Sequence, residues 1–409
     1  MTDSISSPDS ARTYDLYSPA ARANPQAVYE RMRTETPVYS HMNHEWGRRI
    51  WFLTRYDDCV WALKDPRIGK EVRKHMPAGL AESFGEASGP AAALDRHLLN
   101  LDPPDHTRLR TLVHKAFTPK MVENLRPRIA AIAADLLDAI ADKTEIDLIA
   151  DYGFPLPITV IAELLGIPAQ NRDQFREWTK HMLFARSENE YLTAAAEFVA
   201  YMNAMIDERR AAPQDDLISN LVLVQEQEDK LDQAELLSMI FLLLVAGHET
   251  TVNLIGNGTL ALLQHPDQLK RLQADPTLIN SAVEEMLRFN GPVETATVNW
   301  AFEDIPLHGQ TINQGDGILI ALLSANRDPA VFENPNEFNI TRQPNRHIAF
   351  GNGIHFCLGA PLARLEGEIA IGSLLKRFPA LRLAPGAADT LEWSESLLIH
   401  GLKALPVQL

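Results

Sequence analysis

The stretch from Asp232 to Gln264 limits most severely what this chain can fold into. Asp232 followed three residues later by Glu235 is a capping-box pattern, and the next proline is Pro266. Nothing between them stops a helix. The spacing predicts one helix of more than thirty residues, about 45 Å long at ~1.5 Å per residue. Such a helix crosses a whole domain, and the other elements must pack around it. Its most apolar run, Leu236 to Gly247, is shorter than the ~18 residues of a membrane span and leads into His248, Glu249 and Thr250. That predicts a buried core helix. Glycine and hydroxyl side chains at 246–251 cost helix stability and can bond back to carbonyls, so a bend or opening is expected there.

Helical patterns dominate 105–142, 157–164, 168–185, 190–211, 215–225 and 232–290, with a further helix from Asn24 to Thr36. Strand-like segments fall at Val38–Tyr39, Ile50–Leu53, 296–302, 305–312, 317–321 and near 380–408. Residues 1–20 read as a mobile leader, and 68–100 lack periodicity. No Gly/Ser linker divides the rest, so 21–409 is expected to form one mainly helical domain with a small, off-centre sheet. The net charge of −16 argues against nucleic-acid binding, which needs clustered Lys and Arg. Two cysteines, Cys59 and Cys357, cannot build a disulfide framework in this length, which fits a reducing cytoplasm. The polar N-terminal segment has no signal-peptide pattern.

The two cysteines differ in context. Cys59 reads as a small buried hydrophobe. Cys357 lies in Phe350-Gly351-Asn352-Gly353-Ile354-His355-Phe356-Cys357-Leu358-Gly359, just before a helix opened by Pro361. Free N–H groups and the helix dipole there favour an anion and are expected to lower the thiol pKa. The flanking glycines permit tight turns and close approach to a flat group.

This string matches F-G-x-G-x-H-x-C-x-G at every defined position and so resembles the cysteine loop of the cytochrome P-450 family. Three further segments resemble that family in the same order. Ala246-Gly247-His248-Glu249-Thr250-Thr251 resembles its oxygen-binding segment, which implies Glu249 and Thr250 as an acid–alcohol pair that delivers protons. Glu285 and Arg288, at i,i+3, resemble its structural ion pair, with Arg342 as a candidate third member. His106 and Arg110, at i,i+4 after Asp102-Pro103-Pro104-Asp105, resemble the bacterial members' donors to the haem propionates, with His355 as a third. One position departs from the pattern: Asn299 stands where bacterial relatives usually carry an arginine facing a propionate, which implies weaker anchoring or a shifted haem potential.

The resemblance covers the chain from about Tyr14 onward. It implies the cytochrome P-450 fold, mainly α with a small β region, with the long central helix crossing the haem. It implies haem b held through Cys357, with Ala246, Gly247, Phe350 and Gly359 also against it. The implied reaction is hydroxylation of an apolar small molecule by a soluble, monomeric monooxygenase, using O2 and two electrons from a ferredoxin- or flavodoxin-type partner docked on the cysteine-loop face. The apolar substrate class would be a polyketide or macrolide, fatty acid, terpenoid or steroid. Candidate substrate contacts are Phe184, Leu242, Val245, Val293, Ala296, Leu398 and Ile399, together with the 80–97 loop. Arg108, Lys115, Lys120 and Arg364 are expected to form a local basic patch for the redox partner.

Overall fold

The computed structural model describes residues 13–44, 46–84, 89–183, 187–228 and 231–409. The central helix runs over Gln233–Gln264 as one element. Its capping box forms: the Asp232 carboxylate accepts from the Glu235 N–H at 2.7 Å, and Glu235 Oε2 accepts from the Asp232 N–H at 3.2 Å. By length and composition the whole helix could cross a membrane, but more than half of its apolar window is buried within the protein. The helices Pro155–Leu165, Ile279–Asn290 and Ala360–Arg377 pack on it. Close approach there depends on the missing side chain of Gly258, since a Cβ on it would lie 2.7 Å from Met286 Sδ.

The expected opening at 246–251 is not a break, because helical backbone continues through every residue. Three side chains nevertheless bond back one turn. His248 Nδ1 donates to the Leu244 carbonyl at 2.8 Å, Thr250 Oγ1 to Ala246 at 2.9 Å, and Asn253 Nδ2 to Glu249 at 2.8 Å. Back-bonding satisfies these polar groups inside the helix without interrupting its own ladder.

Among the described residues, five strands form the main sheet: β1 (Val38–Asn43), β2 (Arg48–Leu53), β3 (Ile68–Gly69), β4 (Asn299–Ala301) and β5 (Gly317–Ile320). Their order is β1-β2-β5-β4-β3, with only the β2–β5 pair parallel. This sheet has its own apolar cluster, including Trp51, Leu53, Cys59 and Ile318. Cys59 is fully buried, as a core residue should be. The 305–312 segment is a hairpin, and Pro406–Gln408 pairs with both Glu145–Asp147 and Arg382–Leu383.

The leader expected over 1–20 needs correction. Residues 1–12 lie outside the described residues, but Tyr14 and Leu16 are buried. Tyr14 packs edge-on against Tyr39 at 5.1 Å, and Ser18 caps a short helix, Pro19–Ala23. Two apolar side chains in a polar segment were enough to dock it. The unperiodic 68–100 stretch contains β3, short helices and buried Leu94 and Leu98, with 85–88 outside the described residues.

The Glu285–Arg288 pair is completely buried and has the expected third member. Arg288 donates to both Glu285 oxygens at 2.7 and 2.8 Å, and Arg342 Nε to Oε1 at 3.1 Å. The Asn339 N–H and Asn345 Nδ2 also donate to that carboxylate. A buried charge set this fully hydrogen-bonded is tolerated, and losing one member is costly.

Candidate functional site

The cysteine loop is a tight reversal. The Cys357 N–H donates to the Phe350 carbonyl at 2.9 Å, and Asn352 Oδ1 accepts from the Gly353 N–H at 2.8 Å. Gly351 and Gly353 both have φ in the left-handed region, +73° and +76°. At Gly353 a Cβ would also sit 2.3 Å from the Leu63 carbonyl oxygen, so glycine is required twice over. The loop leads into Ala360–Arg377, with Gly359 at the N-cap and Pro361 in the first turn.

Burial dominates the Cys357 thiol and raises its pKa. The Gly359 and Ala360 N–H groups and the Arg110 and Arg364 guanidiniums pull it down, but less strongly. The expectation of a lowered thiol pKa is therefore corrected for the protein alone. The helix N-terminus acts in the predicted direction and desolvation outweighs it.

His106 and His355 meet edge-on, with ring centroids 4.6 Å apart. His106 is 2 % exposed, and among the described residues neither ring nitrogen of either histidine has a hydrogen-bond partner. Burial holds both pKa values down, His355 to about 3, with Lys70, His106 and Arg110 adding repulsion at His355. Four unsatisfied imidazole nitrogens at one spot form an unfilled acceptor or donor set, since buried polar atoms are almost always paired.

Arg110 shares this neighbourhood, but its guanidinium is already engaged. It donates to the Ile354 carbonyl at 2.9 Å and the Phe356 carbonyl at 2.7 Å. The i,i+4 spacing put it on the face of His106, and its greater length carries it to the loop backbone. Asn299 Nδ2 donates to the Thr297 carbonyl at 3.0 Å. Phe350 lies under the Arg364 guanidinium, 4.5 Å from its ring centre.

On the central helix, Ala246 is exposed midway along a segment whose flanks are buried, and Gly247 lies against Ile161. Burial raises the Glu249 carboxyl pKa, opposed by a hydrogen bond from Asn253 Nδ2 at 3.3 Å. Leu242 and Val245 are half-buried on the same helix.

Of the remaining apolar candidates, Val293, Leu398 and Ile399 lie together in one patch. Val293 bridges Ile399 in antiparallel fashion, and the Leu398 carbonyl accepts from the Glu294 N–H at 2.9 Å. Ala296 is hydrogen-bonded through its backbone to Ile320. Phe184 lies outside the described residues.

Sequence reasoning missed what fixes this patch. Asn257 Nδ2 donates to the His400 carbonyl at 2.9 Å, and Gly401 packs directly on the Asn253 side chain. Glu294 is buried under Arg22, which donates at 2.9 and 2.5 Å, and Tyr29, at 2.7 Å. These contacts join segments 143 to 272 residues apart, beyond the reach of local pattern. The predicted basic patch also changes. Arg108 is paired with Glu235, and Arg364 with Glu284 at 2.6 Å, so neither is an unpaired surface cation.

A reversed glycine loop presenting one cysteine, a long helix with a polar middle, and a pair of unsatisfied buried imidazoles together fit a haem-thiolate enzyme. The comparisons agree. The family described as Cytochrome P450 matches residues 158–399. The chain is 48% identical over 390 residues to a polyketide biosynthesis cytochrome P450, PksS, of Bacillus subtilis, covering 94% of this chain and 96% of the relative. It is 46% identical to the cytochrome P450 monooxygenase PikC of Streptomyces venezuelae, covering 94% and 91%. The crystal structure of a myxobacterial cytochrome P450, CYP267B1, in complex with myristic acid superposes with a TM-score of 0.90 at 50% identity, covering 96% and 98%. This chain belongs to the cytochrome P450 family. It is accordingly a haem-dependent monooxygenase with the P450 fold.

Proposed function

We propose that Cys357, as thiolate, would hold the haem iron, and that His106 and His355 would serve the propionates. The four partnerless nitrogens of these two buried imidazoles carry this reading. A haem bound there would supply dioxygen activation, with the thiolate donating electron density to the iron. The chain's own residues do the rest. Cys357 gives up its proton on ligation, helped by the Gly359 and Ala360 N–H groups and by Arg110 and Arg364. Phe350, Gly359, Ala246 and Gly247 line the haem in this reading. Glu249 holds a proton more readily than an exposed carboxylate, because burial disfavours its charge. Thr250 can hand a proton on by rotating its hydroxyl away from the Ala246 carbonyl.

The substrate in this reading is an apolar small molecule of the polyketide or macrolide, fatty acid, terpenoid or steroid class, met by Leu242, Val245, Val293, Ala296, Leu398 and Ile399. The polyketide name of one relative and the myristic acid bound to another support that class. Electrons come from a ferredoxin- or flavodoxin-type protein docking on the cysteine-loop face. There Ile354 and Phe356 are 43% and 41% exposed beside Arg110. The enzyme acts as a cytoplasmic monomer. The test is a screen of fatty acids and macrolactones by haem Soret shift, then product analysis with oxygen, ferredoxin and reductase. A Cys357→Ser protein that kept the red-shifted ferrous–CO band would overturn the assignment.

A further inference from the structure

Lys70 is the buried cation that the sequence analysis did not single out. It follows β3, which pairs with β4 in the register Ile68↔Ala301 and Gly69↔Trp300. One step further, that register sets Lys70 opposite Asn299. Cross-strand partners share a face of the sheet. The side chains agree: Lys70 Nζ and Asn299 Nδ2 both donate to the same Thr297 carbonyl oxygen, at 2.8 and 3.0 Å.

The other two ammonium hydrogens go to Thr297 Oγ1 at 2.9 Å and the Val298 carbonyl at 2.8 Å. All three acceptors are neutral. Asp102 Oδ2 accepts from the backbone N–H groups of Lys70 and Glu71, which ties that oxygen to the main chain. Among the described residues, no carboxylate reaches the Lys70 ammonium at ion-pair distance. A buried cation normally has an anionic partner. Burial drives its pKa down to about 7, with Asp102 opposing from a distance, and Lys70 in turn helps to depress His355. The ammonium is buried on this strand pair beside Asn299.

We propose that Lys70 supplies, from the neighbouring strand, the positive charge that Asn299 lacks, and anchors a haem propionate together with His106 and His355. This rests on the haem-thiolate reading above. A carboxylate is a stronger acceptor for an ammonium than the Thr297 hydroxyl, so one N–H can transfer to it while the two carbonyl bonds keep the side chain in place.

The test is the rate of haem transfer from the ferric holoenzyme to a scavenging apoglobin. It is measured for the native protein, K70M, K70R and the K70M/N299R double variant. K70M should release haem about tenfold faster, as loss of one charge-assisted hydrogen bond implies. K70R should stay near the native rate, and the double variant should recover at least half of the loss on a logarithmic scale. A native rate in K70M overturns the proposal. So does fast release that N299R fails to slow, since Lys70 would then act only by tying down Thr297 and Val298. If K70M does not fold, K70Q replaces it under the same criteria. The ferrous–CO spectrum of the native protein keeps the two readings apart, because a missing thiolate band defeats the haem-thiolate reading itself, whatever Lys70 does.

Discussion

At Gly353 two independent restrictions meet, a positive φ and a backbone oxygen where a Cβ would be. Gly353→Ala should cost about 2–4 kcal/mol, combining left-handed strain with overpacking. Thermal melting of the variant checks this, and a melting point within a degree or two of the native one would reject it. Asn299→Arg places a second cation beside Lys70. It should raise the haem reduction potential by on the order of tens of millivolts, because a nearby positive charge favours the reduced centre. Redox titration reads this directly, and an unchanged potential with unchanged haem retention removes any role for position 299. The cysteine-loop residues were legible in the sequence because loop chemistry is written contiguously. Lys70 was not, because its meaning comes from pairing with a strand some 230 positions away.

The central helix was readable almost to the residue, from Asp232 to Gln264, because capping and proline signals are local. Its polar middle was readable as an interruption but not in its form. His248, Thr250 and Asn253 satisfy themselves on carbonyls one turn back, and the helix stays whole. If Glu249 and Thr250 relay protons as proposed, Glu249→Gln should lower product formation about 100-fold, the usual scale of a lost general acid. Substrate binding, read by the Soret shift, should remain near native. Equal losses in both measurements would mean that Glu249 shapes the site and does not move protons. At the start of the helix, Asp232→Ala should cost about 1 kcal/mol through loss of the cap, seen as a lower denaturant midpoint.

Across the whole molecule, stability should depend on one buried ion set and on two buried neutral histidines. Glu285→Ala leaves Arg288 and Arg342 facing each other without their carboxylate. It should cost about 3–5 kcal/mol and most of the folded yield. Burial lowers the pKa of His97 to about 4 and that of His400 to about 3, with Arg22 and Arg327 repelling a proton at His400. Both are depressed below the unfolded value of about 6.5. The unfolded chain therefore takes up protons first, and stability present above pH 6.5 is lost as pH falls toward 4 and then 3. Urea midpoints at pH 7 and pH 5 should show the drop, and His400→Gln should shrink it; an unchanged pH dependence would exclude His400 as a source. The docked N-terminal segment escaped the sequence reading for the same reason these networks did. Tyr14 and Arg22 look unremarkable until Tyr39 and Glu294 arrive from elsewhere in the chain.

The 398–401 segment is held along its backbone. The Leu398 carbonyl is bound by the Glu294 N–H, the Ile399 N–H by Ser396 Oγ, the His400 N–H by the Pro292 carbonyl, the His400 carbonyl by Asn257, and the Gly401 carbonyl by the Ser394 N–H. If Leu398 and Ile399 meet substrate as proposed, this is a fixed rail carrying two exchangeable heads. A saturation library at these two positions should yield mostly folded enzymes with altered ligand preference. Libraries at Asn257 or Gly401 should yield mostly losses, because they move the rail itself.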